Sequence, residues 1–190
     1  MMSTVSKTKP PRVGGIFSAR ATVVDSATLH RSLRRIAHEI HEQNGVLHDV
    51  ILVGIQRGGV PVARLIQDSL KEISGITVPV NELDVTAFRD DVVNVNAPDI
   101  SDMIASIADK TVILVDDVLY TGRTVRAALN TLFTYGRPLR VQLAVVADRG
   151  HREIPIRADY VVKNIPTKHT EHIRVTPESG VELGEIEEAQ

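Results

Sequence analysis

Residues 112–124 read Val-Ile-Leu-Val-Asp-Asp-Val-Leu-Tyr-Thr-Gly-Arg-Thr, and no other stretch constrains the fold as tightly. An unbroken apolar run of this length suits a strand covered on both faces, the usual condition of a parallel sheet. In such sheets ligands sit beyond the carboxyl ends of the strands, where Asp116 and Asp117 emerge. Thr121-Gly122-Arg123-Thr124 then opens a helix. The first N–H groups of a helix have no internal partner, and its dipole favours an anion there. Gly122 allows close backbone approach, and Thr121 and Thr124 add hydroxyl donors. Carboxylates accept hydrogen bonds from vicinal hydroxyls. The stretch therefore suits a sugar phosphate, with its hydroxyls on the acids and its phosphate on the turn. The competing reading is an acid pair that caps a helix or ligates a metal after a nucleotide-binding strand. No Gly-x-x-x-x-Gly-Lys-Ser/Thr loop is present, which removes the triphosphate version.

The rest of the chain alternates helix and strand patterns. Leu29, Leu33, Ile36, Ala37 and Ile40 follow a helical period from Ser26 to the stop at Asn44-Gly45. Strands are expected at 50–55, 77–85, 111–115, 141–147 and 159–162, and helices at 61–73, 101–108 and 121–133. This order predicts an α/β domain with a mostly parallel sheet covered by helices. Residues 1–15 are polar and aperiodic and are expected to be a disordered tail. Residues 16–177 form the domain, and 178–190, with five acids and no Lys or Arg, an acidic solvated tail. The 190 residues carry 22 Lys+Arg against 24 Asp+Glu; without that tail the count is 22 against 19, a formal +3. Cysteine is absent, excluding disulfides, thiolate metal sites and a Cys nucleophile. Neither a signal peptide nor a membrane span is legible, so a cytoplasmic location is expected.

The 112–124 stretch resembles the phosphoribosyl pyrophosphate signature of the phosphoribosyltransferases of the type I fold. Asp84-Val85-Thr86-Ala87-Phe88-Arg89-Asp90-Asp91 and the segment from Asp148-Arg149-Gly150-His151-Arg152 to Asp159-Tyr160-Val161 narrow the resemblance. Together they look like the pyrimidine operon regulators that double as uracil phosphoribosyltransferases. The resemblance spans about residues 26–175 and implies a central sheet with a small hood. It also implies two activities: transfer of the phosphoribosyl group to uracil, and binding of pyr operon mRNA in response to UMP or UTP. By resemblance, Asp116 and Asp117 hold the ribose hydroxyls, and Val118, Leu119, Tyr120, Thr121, Gly122, Arg123 and Thr124 form the nucleotide turn. Gln56, Arg57 and Gly58 form the pyrophosphate loop, and Arg89, on a lid over 86–98, meets the leaving group. Arg149, Asp159, Tyr160, Val161 and Val162 are expected around uracil. Mg²⁺ enters with the substrate, with Asp116 a candidate ligand, and the family assembles as dimers or larger homo-oligomers.

On a helical projection Arg31, Arg34, Arg35 and His38 share one side, opposite the apolar stripe. Such a stripe is ordinarily a solvated face. The resemblance adds these residues, with Arg137, Arg140, His151, Arg152, Arg157 and Lys163, to an RNA-binding surface. Aromatics are only 3% of the chain, so RNA held there depends on charge and shape. His38-Glu39-Ile40-His41 has the wrong spacing for a zinc-protease helix. Two other readings stay open. One is a regulator that keeps the site only as a nucleotide sensor, suggested by Gln56, Phe88 and Val162 where the family favours Thr, Tyr and Gly. The other is a phosphoribosyltransferase for another base that does not bind RNA.

Overall fold

The computed structural model describes residues 15–86 and 106–187. The chain runs β1 (Ile16–Val24), α1 (Ser26–Asn44), a 3-10 turn (Leu47–Asp49), β2 (Val50–Ile55), α2 (Gly59–Ser74) and β3 (Val80–Leu83). It continues with β4 (Thr111–Leu119), α3 (Arg123–Tyr135), β5 (Arg140–Asp148), β6 (Tyr160–Asn164), β7 (His172–Thr176) and β8 (Gly180–Glu187).

Five strands form one parallel sheet in the order β3-β2-β4-β5-β6. The apolar runs are continuous because the sheet has a core on each face. Ile113 and Val115 of β4 pack with α1 and α2, whereas Val112 and Leu114 pack with α3. β2 divides in the same way, with Val50 and Leu52 on one face and Ile51, Val53 and Ile55 on the other. α1 buries the five residues that its periodicity singles out. Asp25 caps it by accepting from the Thr28 N–H at 2.7 Å, and Gly45 leaves the helix at φ +62°.

Two expectations need correction. Residues 180–187 are not a solvated tail: β8 lies between β1 and β7 in a three-stranded antiparallel sheet. Two of the five acids that suggest a tail have cross-strand cations, Glu182 with Arg174 at 2.8 Å and Glu185 with Arg20 at 3.0 Å. Val181 meanwhile reaches the core beside α1 and α2. The strand expected at 111–115 runs on to Leu119, because β5 continues to pair with Asp116, Val118 and Leu119. The polarity of Asp116 marks neither the end of the strand's hydrogen bonding nor the end of the core, which Leu119 rejoins. α3 correspondingly begins at Arg123, after Gly122 at φ +92°. The expected disordered tail, apart from Gly15, lies outside the described residues, as do residues 87–105, which hold most of the expected lid and of the expected 101–108 helix.

Candidate active site

The end of β4 carries the acids, and their surroundings differ. Asp116 is 6% exposed. Burial, reinforced by the neighbouring Asp117 carboxylate, pushes its carboxyl well above the usual range. The main chain partly compensates, since the Asp117 N–H donates to Asp116 Oδ1 at 3.0 Å. Asp117 is half-exposed, and its Oδ1 accepts from the Val118 N–H at 2.8 Å. The loop after β2 packs directly on this corner. A Cβ at Gly58 would stand 2.1 Å from Asp117 Oδ2, and one at Gly59 would stand 2.1 Å from the Val115 carbonyl oxygen. Both glycines thus meet the close approach of the start of α2 to the end of β4. The Gln56–Arg57 peptide is cis. Gln56 donates to Glu82 at 3.3 Å. Arg57 is exposed, and its charge adds to the Thr86 hydrogen bonds that hold Asp84 below the usual carboxylate range.

The turn between β4 and α3 has no side-chain cap. Thr121 Oγ1 accepts from the Arg123 N–H at 3.4 Å, and the N–H groups that follow stand where an anion gains most. Arg123 pairs with Glu153 at 2.6 Å, and the Glu153 and Ile154 N–H groups donate to the Thr121 carbonyl at 3.0 and 3.2 Å. The segment after β5 is thus fastened across the nucleotide turn.

That segment leaves β5 through a tight turn with Gly150 at φ +77° and His151 at φ +59°. Asp148 Oδ1 receives the Gly150 N–H at 3.0 Å. Arg149 is buried and spends its donors on the β6–β7 connection: Thr167 Oγ1 at 2.9 Å, the Lys168 carbonyl at 3.1 Å and the Glu171 carbonyl at 2.6 Å. Its guanidinium also lies 4.0 Å from the Tyr120 ring centroid. His151 Nε2 bonds the Thr167 carbonyl at 2.6 Å, and its ring lies 4.0 Å from that of His169. His169 meets the Tyr120 hydroxyl at 3.3 Å. His172, behind them, is pushed below the usual histidine range by burial and then by the charge of Arg149. Residues 149–151 and 167–172 thereby form a hood against Tyr120, at the start of the nucleotide turn. Sequence reasoning does not single out Thr167, His169 or Glu171 for this part of the site; the cluster of histidines is the available signal.

Asp159 and Tyr160, expected around uracil, turn their side chains to other elements. Asp159 accepts the Leu143 N–H at 2.8 Å, and buried Tyr160 donates to Gln43 at 2.8 Å near the end of α1. In register, Tyr160 is level with Ala144, whereas Asn164 is level with Asp148. β6 begins one residue later than expected and runs on to Asn164, so its far end, not its beginning, is level with Asp148. Val161 and Val162 are half-buried, and the Val161 carbonyl accepts from Arg35 at 2.9 Å.

The basic residues separate into groups. Arg31, Arg34, Arg35 and His38 are exposed along α1, and Arg35 links that stripe to β6, which carries exposed Lys163. Arg137 and Arg140 are exposed at the opposite, N-terminal edge of the sheet. Arg157 is exposed and forms no hydrogen bond or ion pair among the described residues. Arg152, by contrast, points inward. Its Nε donates to the Ile156 carbonyl at 2.9 Å, and one terminal nitrogen donates to Tyr120 at 2.6 Å, Gly150 at 3.3 Å and Leu119 at 3.4 Å. The other terminal nitrogen pairs with Asp148. Arg89 and Phe88 lie outside the described residues.

Comparison with known proteins supplies the family. The phosphoribosyl transferase domain family matches residues 21–179. A bifunctional PyrR protein of Enterococcus faecalis is 53% identical over 158 residues, covering 82% of this chain and 89% of that one. The bifunctional PyrR protein of Clostridium acetobutylicum is 50% identical, covering 84% and 91%. Among solved structures, the hypoxanthine phosphoribosyltransferase of Trypanosoma cruzi superposes with a TM-score of 0.68 over 89% of this chain and 98% of that one. At 18% identity, that likeness concerns the fold alone.

Proposed function

Since the chain belongs to the phosphoribosyl transferase family, and to the bifunctional PyrR proteins within it, we propose that one nucleotide site serves both of its tasks. It is a pyrimidine regulator with uracil phosphoribosyltransferase activity. The observation that carries the assignment of the site is the corner where Gly58, Asp116, Asp117 and the open start of α3 converge.

In the reaction, the bond from the ribose anomeric carbon to pyrophosphate breaks, uracil N1 bonds to that carbon, and the N1 proton passes to the departing pyrophosphate or to water. Positive charge develops on the ribose, so fixed donors and charges matter more than a nucleophile. Asp116 and Asp117 accept from the ribose hydroxyls and lie where the developing cation gains from negative charge. Residues 121–124 donate to the 5′-phosphate. Arg57 and the main chain at Gly58 stand at the pyrophosphate, and Arg89 is assigned to the same leaving group. The uracil edge faces the main chain of residues 164–168 under the Arg149 hood. This shifts the base-reading positions toward the chain's C-terminus from Asp159 and Tyr160, whose side chains hold β5 and α1.

Phosphoribosyltransferases use Mg²⁺ with phosphoribosyl pyrophosphate. Among the described residues no group of three or more His, Asp or Glu could hold a metal. Two adjacent carboxylates do suit an ion whose remaining ligands are substrate oxygens and water. Asp116 and Asp117 would hold it, and when bound it neutralises charge on the departing pyrophosphate.

For RNA, the reading rests on the exposed cations of α1, with Lys163 and Arg157. No helix among the described residues is long and apolar enough to cross a membrane, and a cytoplasmic homo-oligomer completes the proposal. UMP formation from uracil, phosphoribosyl pyrophosphate and Mg²⁺ tests the enzymatic half. Turnover with uracil and none with hypoxanthine is expected; binding of UMP without turnover would favour a sensor.

A further inference from the structure

Arg152 and Arg157 belong to one eleven-residue connection, 149–159, and carry the same charge, yet they do opposite things. The Arg157 side chain is exposed and bonds no described residue. Arg152 keeps only 23% of its side chain exposed and Asp148, its ion-pair partner, 18%. All three guanidinium nitrogens of Arg152 are engaged, and the main-chain groups they hold lie on two different structures. Leu119 and Tyr120 belong to the end of β4 and the start of the nucleotide turn; Gly150 and Ile156 belong to the connection that ends at Arg157. The Ile156 carbonyl is bonded to Arg157 through a single peptide. A planar fork that grips several carbonyls at once transmits displacement, because one acceptor cannot move without straining the others. Other ties cross the same junction, from the Glu153 and Ile154 N–H groups to Thr121, from the Arg149 N–H to Leu119 and from Arg123 to Glu153, and none of them reaches Ile156.

We propose that Arg152 is a positioning residue, a strut that makes the placement of the RNA-facing Arg157 depend on occupancy of the nucleotide turn, and that it does not itself contact RNA. This inference rests on the reading that one site serves nucleotide and RNA. It assigns the link between the two to a named side chain.

Lysine and glutamine variants separate a strut from a contact. Lysine keeps a cation for an RNA phosphate but cannot hold carbonyls on both sides of the junction. A transcript of the leader of the pyrimidine genes serves as the RNA probe, with its affinity measured against salt with and without UMP. UMP affinity is measured separately by calorimetry without RNA. The expected result is that Arg152→Lys and Arg152→Gln keep the wild-type salt slope, lose the enhancement by UMP and bind UMP about tenfold more weakly. Arg157→Gln is expected to lower the slope by about 0.7, one phosphate contact to single-stranded RNA, and to keep the UMP response. The proposal is overturned if Arg152→Lys matches wild type in slope and UMP response while Arg152→Gln loses slope, since that is the signature of a phosphate contact. If wild-type protein shows no UMP-dependent RNA binding, the one-site reading fails, and the proposed link fails with it. Calorimetry distinguishes that failure from one of the strut alone, in which wild type responds to UMP but Arg152→Lys retains wild-type UMP affinity.

Discussion

The nucleotide turn and the hood face each other across Tyr120, and they are held by different means. The turn is a junction within one strand–helix unit, shaped by main-chain geometry: the left-handed Gly122, the open start of α3 and the close approach of Gly58. The hood is drawn together by side chains. Buried Arg149 gathers the connection between β6 and β7 from 18 to 22 residues away, and His151 bonds the Thr167 carbonyl across 16. A site part built from backbone tolerates most side-chain changes but not a misplaced Cβ. A part built around one guanidinium depends on that residue, and its failure should appear in base binding rather than in chemistry.

Substitutions of the acids give the largest expected effect. Asp117→Asn should lower kcat/KM for UMP formation by about 10²–10³, the usual consequence of removing one preorganised polar group. Asp116→Asn should lower activity similarly and yet raise stability at neutral pH by about 1 kcal/mol, since it removes a buried carboxylate whose folded-state pKa is raised. The sign follows from linkage. A raised pKa favours folding below the unfolded value, and that contribution is lost as pH rises through the folded one. The wild-type and Asp116→Asn melting temperatures should therefore converge as pH falls toward the ordinary carboxylate range. A gap that widens on acidification would contradict the burial of this group.

Gly58→Val probes the backbone-held part from the other side. Its Cβ would displace the Asp117 carboxylate, so steady-state kinetics should show activity reduced at least tenfold with little change in melting temperature. Arg149→Met probes the side-chain-held part. The KM for uracil should rise about tenfold, with a smaller effect on the KM for phosphoribosyl pyrophosphate. An equal rise in both constants would mean that the two parts are not separable. The smallest effect is expected at Arg34, whose pair with Glu72 is 58% and 63% exposed. Arg34→Ala should change stability by less than about 0.5 kcal/mol, read from chemical denaturation.

The same contrast explains which parts of the molecule are legible in the amino-acid sequence. The parallel sheet, α1 with its five buried residues and the acid pair are legible because each is encoded in consecutive residues or in a simple period. Where the signal is long-range, reading fails. β1 and β7 carry no period that identifies them, and β8 reads as a tail, because the partners of Glu182 and Glu185 are cations on other strands. Tyr160 is expected beside the base because its neighbours in sequence suggest it. The register of β5 with β6 moves it toward the end of α1, where it bonds Gln43. A count of cations along a segment likewise cannot distinguish one that faces solvent, such as Arg157, from one that spans four carbonyls, as Arg152 does.

Reciprocity of the two ligands tests the central claim, that one nucleotide site governs both transfer and RNA binding. If UMP tightens the leader RNA by a given factor, linkage requires RNA to tighten UMP by the same factor. Both affinities can be measured on one preparation of the full chain at fixed salt. Equal factors, both abolished in Asp117→Asn, are the predicted result. An RNA affinity that is indifferent to UMP, with UMP formation intact, would contradict the account.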